Sequence, residues 1–235
     1  MNVGSLFSGI GGADLGLERA GMRVRWQVEI DPYCNRVLAK HWPHVMRYRD
    51  VRTIDWATVE PIDILCGGFP CQDISLCGRG AGLQGERSGL WSKYADAIRV
   101  LKPKYVLIEN VSALRHRGLG DVLREIASFG YDAEWHCIPA CSVGAPHRRD
   151  RVWVVAYPHA LRQQEQRQPV THDAGRQLRG VRSEYAGWWG TEPELGRVAH
   201  GVPHRVDRLR GLGNAVVPQI VEAFGRMIME AEAAA

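Results

Sequence analysis

The sequence lacks several features that would assign it to a specialised class of protein. No apolar run in its 235 residues approaches the length of a membrane span. The start Met1-Asn-Val-Gly leads directly into an apolar stretch, so no secretory signal is expected. Internal repeats are also missing. These absences favour a globular protein in a reducing cytoplasm, where its six cysteines would stay free thiols.

The cysteines also lack the paired, close spacing that is typical of structural zinc sites. Cys137, Cys141 and His147 form the one conceivable metal-binding set, and no metal is expected. The two signs of charge nearly balance, with 30 Lys and Arg against 26 Asp and Glu, so the net charge is only +4. Residues 147–210 are nevertheless rich in Arg and His, which suits contacts to phosphates and base edges, although a solvated basic face gives the same pattern.

What is present at the start of the chain is a strand, a glycine turn and a helix. The apolar residues 3–7 predict the strand, Ser8-Gly-Ile-Gly-Gly12 the turn, and residues 13–20 the helix, which ends at Gly21. This order is typical of a loop that cradles a nucleotide-type cofactor, although a tight turn without a ligand fits equally well.

The next two strands each end at an acidic residue. Residues 24–30 predict the second strand, which ends at Glu29 and Asp31, where an acid is expected to hold ribose hydroxyls. A helix follows from Pro32 to about residue 41. Residues 45–49 predict a third strand before Asp50, which either contacts an adenine amino group or caps a turn.

A thiol follows the fourth predicted strand. Residues 62–66 predict a buried strand, Gly67 and Gly68 break it, and Pro70 stiffens the turn before Cys71. Because ligands and chemistry collect at the carboxyl ends of parallel strands, Cys71 is a candidate nucleophile. The alternative is a cysteine packed in the core. The glycine-rich residues 77–89 predict a lid over this site.

The remainder of the chain predicts helices over residues 90–101 and 119–129 and strands over 104–108, 131–139 and 151–157. Glu109 follows the first of these strands and should face the crevice that holds Cys71. If residues 147–151 are extended, His147, Arg149 and Arg151 point one way, towards an anionic or carbonyl-rich ligand or simply along a basic edge strand. Residues 158–205 are polar and break the α/β rhythm, as a recognition segment or a surface loop would.

Five strings of the sequence, in order, resemble the motifs of the cytosine-C5 DNA methyltransferases. They are Ser5-Leu-Phe-Ser-Gly-Ile-Gly-Gly12, Gly68-Phe-Pro-Cys-Gln72, Glu109-Asn-Val111, His147-Arg-Arg-Asp-Arg151 and Gly213-Asn-Ala-Val-Val-Pro218. The resemblance implies an α/β, Rossmann-like S-adenosylmethionine-dependent methyltransferase fold with a small target-recognition segment. Residues 1–157 would form the catalytic and cofactor-binding domain, 158–205 the short target-recognition region, and 206–235 a segment that returns to the catalytic domain.

The resemblance also implies roles for individual residues. Cys71 would attack C6 of a cytosine flipped out of the duplex, Glu109 would hold N3 and the exocyclic amine, Arg151 would contact the O2 side, and Arg149 would support the Cys71 turn. The cofactor would be S-adenosyl-L-methionine. Its pocket would be formed by Phe7, Gly9, Ile10, Gly11, Gly12, Glu29, Ile30, Asp50, Val51, Leu90, Asn214 and Ala215.

The implied partner is double-stranded DNA, methylated by a monomer in the cytoplasm of a bacterial or phage-infected cell. A cognate restriction nuclease, where one exists, would not have to be physically bound. The sequence departs from the family pattern in Ser5 for a frequent Asp, His147 for Gln, and Ile30 for an aromatic residue. Only Arg208-Leu-Arg210 suggests the family's ninth motif.

Three functions stay open at this point. The first is DNA cytosine-C5 methylation, the second is methylation of tRNA cytosine by a related enzyme, and the third is DNA binding without catalysis. Because Cys71, Glu109 and Arg151 are all present, the third is disfavoured. A methyltransferase acting on amino groups would need a Pro-Pro-aromatic motif where this chain has Phe69-Pro-Cys71.

Overall fold

A computed structural model describes residues 1–70, 89–163, 168–187 and 205–234. Its strands are Asn2–Leu6 (β1), Arg23–Val28 (β2), Met46–Tyr48 (β3), Ile64–Gly67 (β4), Tyr105–Val111 (β5), Tyr131–Ile138 (β6) and Arg151–Pro158 (β7). They form one sheet in the order β3-β2-β1-β4-β5-β7-β6. The first five strands are parallel, and β7 runs antiparallel between β5 and β6.

The helices that accompany the sheet are Gly12–Arg19 (α1), Pro32–His41 (α2), Leu90–Leu101 (α3), Leu114–Arg117 (α4), Leu119–Ser128 (α5), His159–Gln163 (α6), Ala174–Glu184 (α7), Arg205–Asn214 (α8) and Pro218–Ala233 (α9). Short 3-10 turns lie at Val51–Thr53, Trp56–Thr58 and Ala140–Val143. Among the described helices, none is long and apolar enough to cross a membrane.

Local sequence signals explain where several helices begin. The Asp31 side chain accepts hydrogen bonds from the amides of Tyr33 and Cys34, and Pro32 occupies the first turn of α2, where its missing N–H costs nothing. Gly11 precedes α1 with φ of 87°, a left-handed conformation that glycine adopts without strain. The predicted starts of these helices lie within one residue of the observed ones.

The core lies on both faces of the sheet, because the strands are buried on both sides. One face packs Leu65 and Ile108 of the sheet against Tyr94 and Ile98 of α3 and against α5. The other face packs residues such as Val155 against α1, α7 and α9. This two-sided burial explains why the central strands read as continuous apolar runs.

The chain changes direction across the sheet between β1 and β4, which are neighbours although two strands separate them in sequence. In an open α/β sheet, such a point leaves a crevice outside the carboxyl ends of the strands. We call this side of the sheet the catalytic edge. The carboxyl ends of β1, β2, β4 and β5 meet there, as the sequence predicted.

The helices α7 and α9 run antiparallel to each other. Near the end of α9, Glu230 accepts hydrogen bonds from Arg176 and Gln177 at the start of α7. Near the beginning of α9, Glu222 accepts one from Tyr185, directly after α7. The last residues of α9 reach Tyr105 at the start of β5, opposite the catalytic edge. The carboxyl-terminal end of α7 therefore lies towards the catalytic edge.

Two local expectations are wrong. The strand predicted to end at residue 108 continues to Val111, so Glu109 lies within β5 instead of following it. Residues 147–150 do not form the expected continuous extended segment, because β7 begins only at Arg151 and Arg149 has φ of 36°. Simple alternation therefore does not place His147, Arg149 and Arg151 on one face. The lid predicted over 77–89 lies, apart from Gly89, outside the described residues.

Candidate active site

A cavity of about 870 Å³ opens at the catalytic edge. Its size is within the range of roughly 300–1,000 Å³ that is typical of small-molecule sites. The structure brings most of the predicted site residues to its wall, namely Phe7, Gly9, Glu29, Ile30, Asp50, Val51, Leu90, Glu109, Arg151 and Asn214. Gly68 and Pro70, which precede Cys71 in sequence, line the same cavity, whereas Cys71 itself lies outside the described residues.

The remaining predicted residues lie beside this cavity. Gly12 and Ala215 line a neighbouring space of about 60 Å³. Gly11 faces away, because a Cβ there would lie 2.4 Å from the Trp42 ring. Ile10 packs near Gly211 of α8. These four residues therefore lie around the glycine turn but do not line the large cavity.

Glu29 is fixed against the glycine turn. One carboxylate oxygen accepts a hydrogen bond of 2.7 Å from the Gly9 amide, and the other accepts one of 2.8 Å from the Asp31 amide. Each oxygen keeps further lone pairs that can accept hydrogen bonds from a ligand. The acid at the end of β2 therefore has a defined position on the cavity wall.

Asp50 serves as a cap and also lines the cavity. Its carboxylate accepts from the Arg52 amide and pairs with the Arg52 guanidinium at 2.7 Å. The side-chain hydrogen bond from Arg52 lowers the pKa of Asp50 to about 2. The capping alternative is confirmed, and a contact to a bound ligand stays a prediction.

One contact that closes this part of the cavity was not predicted from the sequence. Arg210 of α8 lies 3.7 Å from the Asp31 carboxylate, and both side chains line the cavity. The pair joins segments that are far apart in the chain, so no local pattern could reveal it. The contact draws α8 over the end of β2.

Glu109 and Arg151 form a mostly buried ion pair. The Arg151 Nε lies 2.7 Å from Glu109 Oε1, and their side chains are only 15% and 20% exposed, for Glu109 and Arg151 respectively. Burial raises the pKa of Glu109 above its ordinary value, while the nearby charges of Arg151 and Arg149 act in the opposite direction. The carboxyl group is thereby biased towards its neutral form, which can donate one hydrogen bond and accept another.

The turn before Cys71 is held against β5. The Asn110 amide donates a hydrogen bond of 2.8 Å to the carbonyl of Phe69, whose ring is buried against Trp91. A Cβ at Gly68 would lie only 2.5 Å from Glu109 Oε2, so the turn can approach the acid only with glycine there. Asn110 was missed as a site residue, although a polar side chain in a buried strand next to Glu109 was a usable signal.

Arg149 connects the catalytic edge with the segment before α9. Its guanidinium donates hydrogen bonds of 2.6 and 2.7 Å to the carbonyls of Gly213 and Ala215. Burial lowers its pKa from the ordinary value for arginine, and Arg151 adds repulsion. The expected support of the Cys71 turn by Arg149 involves residues outside the described part of the chain and stays a prediction.

The described thiols differ sharply in environment. Cys66, in β4, is fully buried, and burial raises its thiol pKa far above the ordinary value. Cys137 and Cys141 are exposed and unpaired. Among the described residues, no three His, Cys, Asp or Glu side chains are grouped to hold a metal ion. Cys66 is therefore a packed core cysteine, whereas the two alternatives for Cys71 stay untested because Cys71 lies outside the described residues.

Comparison with known proteins places these features in one family. A family model described as C-5 cytosine-specific DNA methylase matches residues 1–188, and the chain belongs to that family. It is 36% identical over 164 residues to the Type II methyltransferase M2.BsuMI of Bacillus subtilis, covering 66% of this chain and 42% of that protein. It is 29% identical over 160 residues to M.HhaI of Haemophilus parahaemolyticus, covering 66% and 49%. The chain thus spans about half the length of these curated relatives.

Solved structures support the fold. A prophage-encoded E. coli protein described as a candidate DNA modification methyltransferase is 28% identical, with a TM-score of 0.57, and the match covers 69% of this chain and 48% of that one. The S. pombe Dnmt2 methyltransferase matches with a TM-score of 0.56 at 20% identity over 67% of this chain and 51% of the other, which bears on the fold alone. The predicted family and the Rossmann-like methyltransferase fold are confirmed.

Proposed function

We propose that this chain transfers a methyl group from S-adenosylmethionine to C5 of a cytosine in double-stranded DNA, through a covalent bond between Cys71 and C6. The observation that carries the proposal is the shared cavity of the Glu109–Arg151 pair and the turn that leads into Cys71. Membership of the C-5 cytosine-specific DNA methylase family supports the same chemistry.

The part of the cavity near the glycine turn suits the cofactor. Glu29, which the Gly9 and Asp31 amides hold in place, would accept hydrogen bonds from ribose hydroxyls. Asp50 would accept one from the adenine amino group, and the apolar side chains of Ile30 and Leu90 would pack on the ring. When bound, S-adenosylmethionine supplies an electrophilic methyl group. Phe7, Val51 and Asn214 complete the same wall.

The catalytic residues would act on the cytosine ring in a fixed order. The Cys71 thiolate adds to C6, and the electron pair of the C5–C6 double bond becomes available at C5. Glu109, in its neutral form, donates a hydrogen bond to N3, and Arg151 contacts O2, so that negative charge on the ring is stabilised. After C5 gains its methyl group, a base removes the C5 proton, the double bond reforms and Cys71 leaves with the electrons of the carbon–sulfur bond.

The raised pKa of Glu109 favours this role. An ionised carboxylate could only accept hydrogen bonds, whereas a neutral carboxyl can donate to N3 and accept from the exocyclic amine. Arg151 opposes the shift, since it stabilises the ionised form. In this proposal, a ring nitrogen would replace the guanidinium as the hydrogen-bonding partner of Glu109.

Residues 158–205 would recognise the target, and residues 206–235 would return to the catalytic domain. The described part of residues 158–205 includes the helices α6 and α7, and Val170 and Val181 are buried in the same core as Phe224 of α9. This part therefore also supports the catalytic domain. The substrate would be a duplex from which the cytosine is flipped, because the ring is inaccessible while it is stacked. The enzyme would act as a monomer.

Transfer of a labelled methyl group tests the proposal directly. The purified protein is incubated with labelled S-adenosylmethionine and either duplex DNA or tRNA, and the modified base is identified by bisulfite sequencing of the DNA. We expect label in DNA only. Cys71→Ser should abolish transfer, and Glu109→Gln should lower the rate about 10²–10⁴-fold, as expected for a positioned acid–base group. Cys137→Ser is the matched control, because this exposed thiol should be dispensable.

A duplex that carries 5-fluorocytosine tests the covalent step. Fluorine cannot leave C5 as a proton does, so the Cys71 adduct should persist in detergent for the wild type and Cys137→Ser but not for Cys71→Ser. Label in tRNA alone would show that tRNA is the substrate instead of DNA. Full activity of Cys71→Ser would refute the covalent mechanism.

A further inference from the structure

The exposed arginines at one end of the catalytic edge are not used by the chemistry described above. Arg115 and Arg117 lie on α4, Arg148 precedes β7, and Arg179 and Arg182 lie on α7. All five are exposed, and none takes part in the ion pairs that the described residues form. We call these five residues the arginine surface.

Strand pairing brings the two arginines of α4 close to Arg148. In the antiparallel pairing of β5 and β7, Val111 lies opposite Arg151. The chain that leaves β5 towards Arg115 and Arg117 therefore starts beside the chain that arrives at β7 from Arg148. Arg115 and Arg117 follow Glu109 by six and eight positions, and Arg148 precedes Arg151 by three.

The two arginines of α7 are connected to Arg148 through the Ala140–Val143 turn. The Arg148 carbonyl accepts a hydrogen bond from the Ala140 amide. Gly144, which ends this turn, lines an open groove of about 550 Å³ together with Arg179 and Arg182. Since α7 ends towards the catalytic edge, this groove lies on the same side of the molecule as the active-site cavity.

The charges in this region are available to a ligand. Glu184, the acid next to the arginines of α7, is engaged by Arg226 of α9. Arg176, one turn before Arg179, forms ion pairs with Asp173 and Glu230. Such unpaired guanidinium groups suit phosphate oxygens, which they can bind through two parallel hydrogen bonds.

We propose that the arginine surface binds phosphates of the DNA duplex on both sides of the target cytosine. The helix α4 leads into α5 on one face of the sheet, and α7 packs on the other face, with the Glu109–Arg151 pair between them. Phosphates of one duplex could thus be held on either side of the cavity mouth. The surface takes DNA as its partner and so rests on the proposed function.

Two double variants, Arg115→Gln/Arg117→Gln and Arg179→Gln/Arg182→Gln, test the surface. The matched control is Arg23→Gln/Lys102→Gln, which removes two exposed cations at the opposite edge of the sheet. Binding to a random-sequence duplex is measured at several salt concentrations. Each phosphate contact contributes about 0.9 to the slope of log affinity against log salt.

If both arginines of a pair contact phosphates, the slope should fall by about two units. The wild type should therefore lose about tenfold more affinity than the variant between about 50 and about 200 mM salt. The control should keep the wild-type slope, and thermal unfolding should be unchanged in all variants. The proposal is overturned if both arginine variants keep the wild-type slope. It is also overturned if the slope changes for binding to tRNA but not for binding to the duplex.

Methyl transfer by the same preparations separates this proposal from the proposed function. A wild type that methylates DNA, with unchanged salt slopes in the variants, overturns the arginine surface alone. A wild type that binds DNA through these arginines but transfers no methyl group leaves the surface standing and overturns the proposed reaction.

Discussion

Asn110 should control the rate of the reaction without touching a reactant. Its amide donates to the Phe69 carbonyl at 2.8 Å, and its carbonyl accepts from the Val111 amide at 2.9 Å. The side chain is only 3% exposed. Asn110→Ala would leave a buried carbonyl without a donor directly before Pro70 and Cys71.

The expected loss of stability follows from the buried Phe69 carbonyl. An unpaired buried polar group costs about 1–3 kcal/mol, so the free energy of unfolding should fall by about 2 kcal/mol. The turn would also lose its attachment to β5, and a displacement of the nucleophile by about 1 Å can lower a rate about 10²-fold. We expect kcat to fall about 10–100-fold, with little change in the KM for S-adenosylmethionine.

The assay is methyl transfer together with the rate of adduct formation on 5-fluorocytosine DNA. Tyr131→Phe is the control, because the Tyr131 hydroxyl donates a buried hydrogen bond of 2.6 Å to Pro103, away from the catalytic edge. This variant should lose about 1 kcal/mol of stability and keep its kcat. A wild-type kcat for Asn110→Ala, measured well below its unfolding temperature, would refute the positioning role.

Two further expectations concern stability. Burial raises the pKa of Asp14 to about 6, so its contribution to stability is full below pH 4 and is lost as the pH rises through about 6. About two pKa units correspond to about 3 kcal/mol. The free energy of unfolding, measured with urea, should therefore fall by about 3 kcal/mol between pH 4 and 8 in the wild type but not in Asp14→Asn, and parallel pH profiles of the two proteins would contradict this. Glu134 accepts hydrogen bonds from the amides of Val170 and Thr171 and from the Tyr157 hydroxyl. Glu134→Gln should therefore lower the free energy of unfolding by about 2 kcal/mol, and an unchanged urea midpoint would count against that role.

The sequence predicted the elements whose signals are local. The bounds of α3 and the start of α2 agree with the structure, because an amphipathic pattern and the Asp31-Pro32 pair are short-range features. The grouping of Glu29, Asp50 and Glu109 at one cavity was also predictable, since parallel strands bring their carboxyl ends to one edge.

Contacts between distant segments were not predictable from such patterns. The extension of β5 to Val111 depends on its antiparallel partner β7, which supplies the pairing beyond residue 108. The left-handed conformation of Arg149 accompanies its hydrogen bonds to Gly213 and Ala215, far along the chain. Local periodicity carries no information on either interaction, so the orientation of these side chains required the structure.

The Glu109–Arg151 pair also bears on how a cytosine would enter the site under the proposed function. Arg151 offsets the charge that Glu109 carries when it is ionised, so the pair avoids an isolated buried charge, which would be costly. A cytosine ring that entered the cavity would bury Glu109 further and favour its neutral form. Arg151 would then turn from the acid towards the O2 side of the ring. Arg151→Met should therefore raise the pKa of Glu109 further, moving the alkaline limb of the pH–rate profile upward while the maximal rate falls, and an unshifted limb would show that the two groups are not coupled.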